Sequence, residues 1–191
     1  MKESRFEFNH YKKFLKFYIA AFYVIFACVS VQTYAAPRVS ERRQKLITYA
    51  LTLRGTKYVF GGQTPEEGFD CSGFVDYAVN HGIGIQLPRK ADNIYKKVRH
   101  IEPKQREPGD LIFFKNDLKS DRVTHVGIYC GVYHGKDSKL NGKRVFISAV
   151  SDGPKTGVIL SAIDEKFWKN HFFAYGRILP PSQEDLEKEA D

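Results

Sequence analysis

A thiol and an imidazole that one fold could bring together are the first chemistry this sequence offers. Cys71 sits in Gly68-Phe69-Asp70-Cys71-Ser72-Gly73 and His125 in Thr124-His125-Val126-Gly127-Ile128-Tyr129. The thiolate is the nucleophile, and a free thiol titrates near ~8.5, so a reactive cysteine needs surroundings that favour the anion. Beyond Cys71 the run Phe74-Val75-Asp76-Tyr77-Ala78-Val79 is closed by Gly82 and Gly84, which predicts a helix starting close to Asp70. Cys71 then falls in a first turn, where backbone N–H groups lack intrahelical partners and the positive end of the macrodipole favours an anion. Those N–H groups can also hold the oxyanion of a tetrahedral intermediate, worth about 3 kcal/mol per donor. Gly73 is expected to let helix and substrate approach closely. Out of this context, a lone cysteine reads as a buried structural residue.

His125 lies in a strand-like run in which Val126 and Ile128 share one face, leaving His125, Gly127 and Tyr129 on the other. Glycine at 127 keeps that face open beside the imidazole. Alone, a strand histidine is a hydrogen-bonded structural group; beside a thiol it is a base. Such a pair supports thiolate attack, an acyl-enzyme, and protonation of the leaving amine by the imidazolium.

The elements that must position the pair change character along the chain. Ser40 through Arg54 reads as a helix capped by Ser40, with Leu46, Ile47, Ala50 and Leu51 apolar. A loop rich in Gly and Pro spans 61–68, and residues 89–98 suit a third helix. After the turn signal Glu107-Pro108-Gly109-Asp110 come short β-type runs: Leu111–Phe114, Val123–Tyr129, Arg144–Val150, Gly157–Leu160 and Phe172–Ile178, with one helical turn over Asp164–His171. Helices first and strands afterwards predict an α+β domain, N-terminal helices packed on a largely antiparallel sheet. Cys130 falls inside a strand, where a free cysteine is a small apolar residue; a Cys71–Cys130 disulfide is the alternative in an exported chain.

The ends differ from this body. Residues 1–36 place Lys2, Arg5, Lys12, Lys13 and Lys16 before the apolar stretch Phe17–Val31 and the small residues Ala35-Ala36, the layout of a secretory signal. A membrane anchor is the rival, yet the stretch falls short of the roughly 20 residues a span needs; lipid attachment at Cys28 is a third reading. The domain is expected over 37–179, with residues 180–191 an acidic disordered tail. The net charge is +8, and both the signal and the tail are set apart from a strongly basic body. A basic body favours a polyanion; export excludes nucleic acid in favour of cell-wall polymers and lipid surfaces. The six histidines are scattered with no second ligand at metal spacing, so no metal or cofactor is expected.

Five strings, Tyr58-Val59-Phe60-Gly61-Gly62, Phe69-Asp70-Cys71-Ser72-Gly73-Phe74-Val75, Leu87-Pro88-Arg89, Pro108-Gly109-Asp110-Leu111-Ile112-Phe113-Phe114 and Thr124-His125-Val126-Gly127-Ile128-Tyr129, together resemble the NlpC family of cell-wall peptidases. They arrive in family order and cover about residues 44–178. The resemblance implies a papain-like fold with Cys71 as nucleophile and His125 as base. It also implies that Tyr58 lies close to the nucleophile and that Asp70, helped by Ser72, holds the free amino end of the wall peptide; N-capping is a compatible role for Asp70. The third member departs from the pattern: Phe146-Ile147-Ser148-Ala149-Val150 offers Ser148 where relatives commonly carry a second histidine or another polar residue. A hydroxyl can accept from the far imidazole nitrogen but stabilises an imidazolium less than a carboxylate, so His134 and Asp152 are alternatives. Arg89 and Asp110 are expected to serve a salt bridge and a turn.

The function this resemblance implies is a hydrolase cutting amide bonds in peptidoglycan peptide stems, at the γ-D-glutamyl–diamino acid link, and the N-terminal signal makes it exported: periplasmic, envelope-associated or secreted. Membrane contact is expected only through the N-terminal signal or a lipid on Cys28. Two other readings stand: a non-catalytic wall-binding protein, favoured by Ser148, and acyl transfer through the same pair.

Overall fold

The computed structural model describes residues 39–153 and 155–179; the expected signal, the lipid site at Cys28 and the acidic tail lie outside them. Helix α1 spans Val39–Thr52, followed by a small hairpin of β1 (Gln63–Thr64) and β2 (Gly68–Phe69). Helix α2 spans Cys71–Ile83 and α3 Ala91–Lys97. The remainder is β3 (Arg99–Ile101), a 3-10 turn (Pro103–Gln105), β4 (Leu111–Phe114), β5 (His125–Val132), β6 (Arg144–Val150), β7 (Gly157–Ala162), the short helix α4 (Lys166–His171) and β8 (Phe172–Arg177). Six strands form one antiparallel sheet in the order β3-β8-β4-β5-β6-β7.

Both faces of the sheet are covered, which explains why β4 is apolar at every position rather than alternating. Leu111 and Phe113 join Leu46, Ala50, Phe74, Val75, Ala78 and Val79 of α1 and α2 in one core. Ile112 and Phe114 join Tyr129, Phe146, Trp168 and Tyr175 in another on the opposite face. Val126 and Ile128 belong to the helix-side core and Tyr129 to the other, as the alternation along β5 predicts. Helix α1 is tied to the sheet by Arg43, whose Nη1 lies 2.8 Å from Asp110 Oδ1, while Arg177 Nη2 grips Oδ2 of the same buried carboxylate at 2.9 Å. Asp110 also accepts from the Glu107 N–H at 2.7 Å, the expected turn.

Several boundaries move for local reasons. Ser40 lies inside α1, which begins at Val39, so it does not cap it. Strand β5 starts at His125 instead of Val123, because the Val123 N–H is taken by Asp92 Oδ1 at 3.0 Å. It continues past Tyr129 through an irregularity between Tyr129 and Gly131, where Gly131 adopts a φ of 87°, a bulge conformation open to glycine. Helix α3 is shorter than 89–98 because Lys90 takes a φ of 78° before its start and Val98 is extended after its end. Strand β7 runs on to Ala162, and the last helical turn begins at Lys166 rather than Asp164.

Candidate active site

Asp70 caps α2 with extended backbone and accepts from the Gly73 N–H at 2.8 Å, so Cys71 is the first helical residue. Its sulfur lies 3.9 Å from the Thr124 carbonyl oxygen, and the N–H groups of Val126 and Ser72 also point to it. The thiol is thus held against the backbone on both sides of His125. Burial pushes the Cys71 thiol up to about 11, with the Asp70 charge adding to the rise; the Val126 and Ser72 N–H groups and Arg89 oppose it. Burial likewise drives the His125 imidazole down to about 4, partly countered by Asp70. The resting pair is therefore thiol and neutral imidazole, and both charges await a reaction that makes them together.

Behind the imidazole, His125 Nε2 lies 3.0 Å from Ser148 Oγ, and Ser148 is fully buried. Gly127 keeps the space beside Ser148 open: a Cβ there would sit 3.1 Å from Ser148 Cβ and 2.7 Å from Phe146 Cδ2. Of the alternatives to Ser148, His134 is exposed beyond the far end of β5, and exposed Asp152 accepts from Ser151 Oγ at 2.9 Å. The structure brings neither to the ring. Cys71 and Cys130 are both free thiols; the expected disulfide alternative is not formed, and burial lifts Cys130 to about 12.

Asp70 is more heavily engaged than the sequence suggests. Its carboxylate accepts from Ser72 Oγ at 3.0 Å, from the Gly61 N–H at 3.1 Å, and from both terminal nitrogens of Arg89 at 2.9 and 2.5 Å. Arg89 also donates to Ser72 Oγ. Burial alone would raise the Asp70 carboxyl, yet the hydrogen bonds from Arg89, Gly73 and Ser72 outweigh it and hold it below the usual carboxylate range. Tyr58, half-buried and bridged to Phe69, lies near Cys71, Asp70 and Asp152, and burial first, then these neighbours, raise its hydroxyl. Gly73 has a different use from the one expected. A Cβ there would meet the Gly62 carbonyl oxygen at 2.2 Å, so the absent side chain at Gly73 makes room for the chain's own turn at Gly61–Gly62.

Sequence reasoning missed Trp168. The indole is 7% exposed and its ring centre lies 5.0 Å from that of His125, covering the imidazole on the sheet face away from the helices. The only sequence signal was a single tryptophan in the last helical turn. Among the described residues no three His, Cys, Asp or Glu side chains converge to hold a metal ion.

A helix-borne thiol held against the backbone on either side of a strand histidine, beside an antiparallel sheet, defines a papain-like α+β domain. The profile of the NlpC/P60 family matches residues 55–177, and the chain belongs to that family. It is 40% identical over 116 residues to the gamma-DL-glutamyl hydrolase of Bacillus subtilis, covering 61% of this chain and 24% of that protein. It is 30% identical over 166 residues to the murein DD-endopeptidase MepH of Escherichia coli, covering 81% and 55%. The chain thus spans about a quarter to about half the length of these relatives. Among solved structures, an NLP/P60 family protein similar to a lipoprotein, from Staphylococcus aureus, superposes with a TM-score of 0.59 at 30% identity, over 79% of this chain and 46% of that one.

Proposed function

We propose that this chain is an exported cysteine hydrolase that cuts amide bonds in the peptide stems of peptidoglycan, at the γ-D-glutamyl–diamino acid link. The observation that carries the reading is a thiol at a helix start 3.9 Å from the carbonyl oxygen of Thr124, the residue before His125, with a hydroxyl 3.0 Å from His125 Nε2. The bond is favoured by the relative at 40% identity, named for the γ-DL link; the 30% identical MepH is named for a DD link, which is the competing choice.

In this mechanism Ser148 Oγ accepts a hydrogen bond from the Nε2–H of His125, fixing the tautomer that leaves Nδ1 bare. Cys71 transfers its proton to Nδ1 as the sulfur attacks the amide carbonyl. The Gly73 N–H is spent on Asp70 and the Ser72 N–H faces the sulfur, leaving the Cys71 N–H for the developing oxyanion. Collapse breaks the C–N bond, the imidazolium gives its proton to the departing amine, and water releases the thioester by the reverse sequence. Asp70 and Ser72 meet the free amino end of the stem, with Arg89 holding both in place, and Tyr58 closes the other side of the thiol. Export by residues 1–36, cleaved or lipidated at Cys28, delivers the domain over 37–179 to the wall.

The test is digestion of purified stem peptides by the wild-type chain, Cys71→Ala and His125→Ala, with products weighed by mass spectrometry. New ends at the glutamyl–diamino acid link in wild type alone support the reading. Cleavage only at a D-amino acid cross-link moves the bond to the DD position. Well-folded wild type that retains peptide and cuts nothing makes it a wall-binding protein.

A further inference from the structure

A recessed groove of about 560 Å³ opens where the end of β5 and the start of β6 meet α4 and β8, and it is lined by Arg106, Lys143, Arg144 and Lys169 over Phe172 and Tyr175. Val132, at the end of β5, lies on its rim, whereas His125 begins that strand; eight extended residues put the two ends roughly 23 Å apart. The one acid in the lining is Asp164, which pairs with Lys143 at 3.5 Å. Three cations remain without a carboxylate inside the groove.

Arg106 is the organised part. Its guanidinium carbon lies 5.7 Å from the ring centres of both Tyr129 and Tyr175, and Nη1 donates to the Pro103 carbonyl. Nε is buried with no hydrogen-bond partner. Two rings and a carbonyl hold the planar fork in one orientation, which lowers the entropy lost when it meets an oxyanion. A fixed guanidinium suits phosphate oxygens, and flexible lysines beside it suit further negative charge along the same chain. Burial first raises the Tyr175 hydroxyl, to about 12, while Arg106 and Arg144 oppose it, so both cations face the same aromatic floor.

We infer that this groove binds an anionic, phosphodiester-linked polymer, one phosphate on Arg106 and neighbouring ones on Arg144 and Lys169. The shape selects a chain over a lipid surface: a flat array of headgroups meets the exposed Arg144 and Lys169 but not a guanidinium recessed against two tyrosine rings. The inference accounts for the basic body of the sequence, which the thiol chemistry leaves unused. It concerns binding, and holds whether or not the thiol site cuts peptide.

The experiment is titration calorimetry of the full chain with poly(glycerol phosphate) at low and high salt, beside phosphatidylglycerol vesicles and uncharged dextran. The variants are Arg106→Gln, the triple Lys143→Gln/Arg144→Gln/Lys169→Gln, and Lys45→Gln on exposed α1 as control, each checked by thermal melting. Expected are binding of the polymer that weakens steeply with salt, at least a tenfold loss in Arg106→Gln, a further loss with a flatter salt dependence in the triple variant, and no change in Lys45→Gln. Should Arg106→Gln unfold, the triple variant, altered at solvent-facing positions, decides alone. Equal affinity in all variants, no binding of polymer at low salt, or vesicles bound as well as polymer with the same variant sensitivity would overturn it.

Discussion

His125 Nε2 and Ser148 Oγ lie 3.0 Å apart beside the side-chain gap left by Gly127. In the proposed mechanism the neutral hydroxyl accepts a hydrogen bond from Nε2–H and so holds the ring and its tautomer, but it lends an imidazolium less support than a carboxylate. Ser148→Ala is expected to lower kcat by about 10- to 100-fold with KM little changed. It should also cost about 1–3 kcal/mol of stability, since a buried N–H loses its partner. Stopped assays on a stem peptide and a urea melt read the two effects; full activity in the variant would remove Ser148 from the mechanism.

The pH dependence follows from the same ring. His125 titrates near 4 and Cys71 near 11, both chiefly through burial, so the pair is uncharged through the neutral range. Activity needs the imidazole neutral, and kcat/KM is expected to be flat around neutrality and to fall as pH drops through about 4. Stability has a matching sign. The unfolded histidine takes its proton near ~6.5 while the folded one waits until about 4, so the unfolded state binds more protons in between. Stability therefore declines as pH falls across that window, by on the order of 3 kcal/mol at most, and His125→Ala loses this dependence. An acid limb at or above 6 in the rate profile contradicts this.

The thiol and imidazole were legible because their signals are local. The Asp70 cap, the apolar run after Cys71 and the terminal Gly84 mark a helix, and alternation along β5 sorts its residues between the sheet faces. The partners that tune the pair were not legible, because each comes from a contact between segments that carry no periodic pattern. Arg89 meets Asp70 from the segment just before the positive-φ residue Lys90, and Trp168 meets His125 from the short helix leading into β8, the strand paired with β4. The bulge after Tyr129 is likewise set by the register with β6, which no reading of β5 alone contains.

Arg89 is expected to act by holding Asp70 and Ser72 rather than by touching the thiol. Arg89→Met removes its donors to Asp70 and Ser72, leaving a largely buried carboxylate with fewer partners, at a cost of about 2 kcal/mol at neutral pH. Asp70 has its folded titration depressed, so its stabilisation is present above the unfolded value near ~3.9 and fades as pH falls through the folded one. The gap between wild type and variant should narrow below pH ~4. Chemical denaturation at two pH values checks it, and a pH-independent gap counts against the ion pair.

Gly73→Ala is expected to be more damaging than its size suggests. The added carbon would stand 2.2 Å from the Gly62 carbonyl oxygen, a backbone atom that no rotamer change can move aside. Relief requires the start of α2 to shift from the turn at Gly61–Gly62, carrying Cys71 away from Thr124. A loss of about 2 kcal/mol or more in stability should accompany loss of turnover, while Ser72→Ala leaves the fold closer to wild type. Thermal melts of the two variants, run together, separate the clash from the lost hydroxyl.

Trp168 provides a direct probe of the imidazole, because it is the chain's single tryptophan and its ring centre lies 5.0 Å from that of His125. An imidazolium at this range draws electron density from the excited indole and quenches it, whereas a neutral ring does not. Fluorescence of the wild type should therefore fall with an inflection near pH 4, where His125 takes its proton, and His125→Ala should lack that step. Trp168→Ala would admit water to the covered side of the ring, raising the His125 titration toward ~6.5 and moving the acid limb of kcat/KM upward with it. The cavity should cost about 3–5 kcal/mol, and Trp168→Phe, which keeps an apolar cover, should restore most of both stability and acid limb. If the limb stays at about 4 in a folded Trp168→Ala protein, the indole contributes packing alone and the low titration of His125 comes from Phe114 and the helix side of the site.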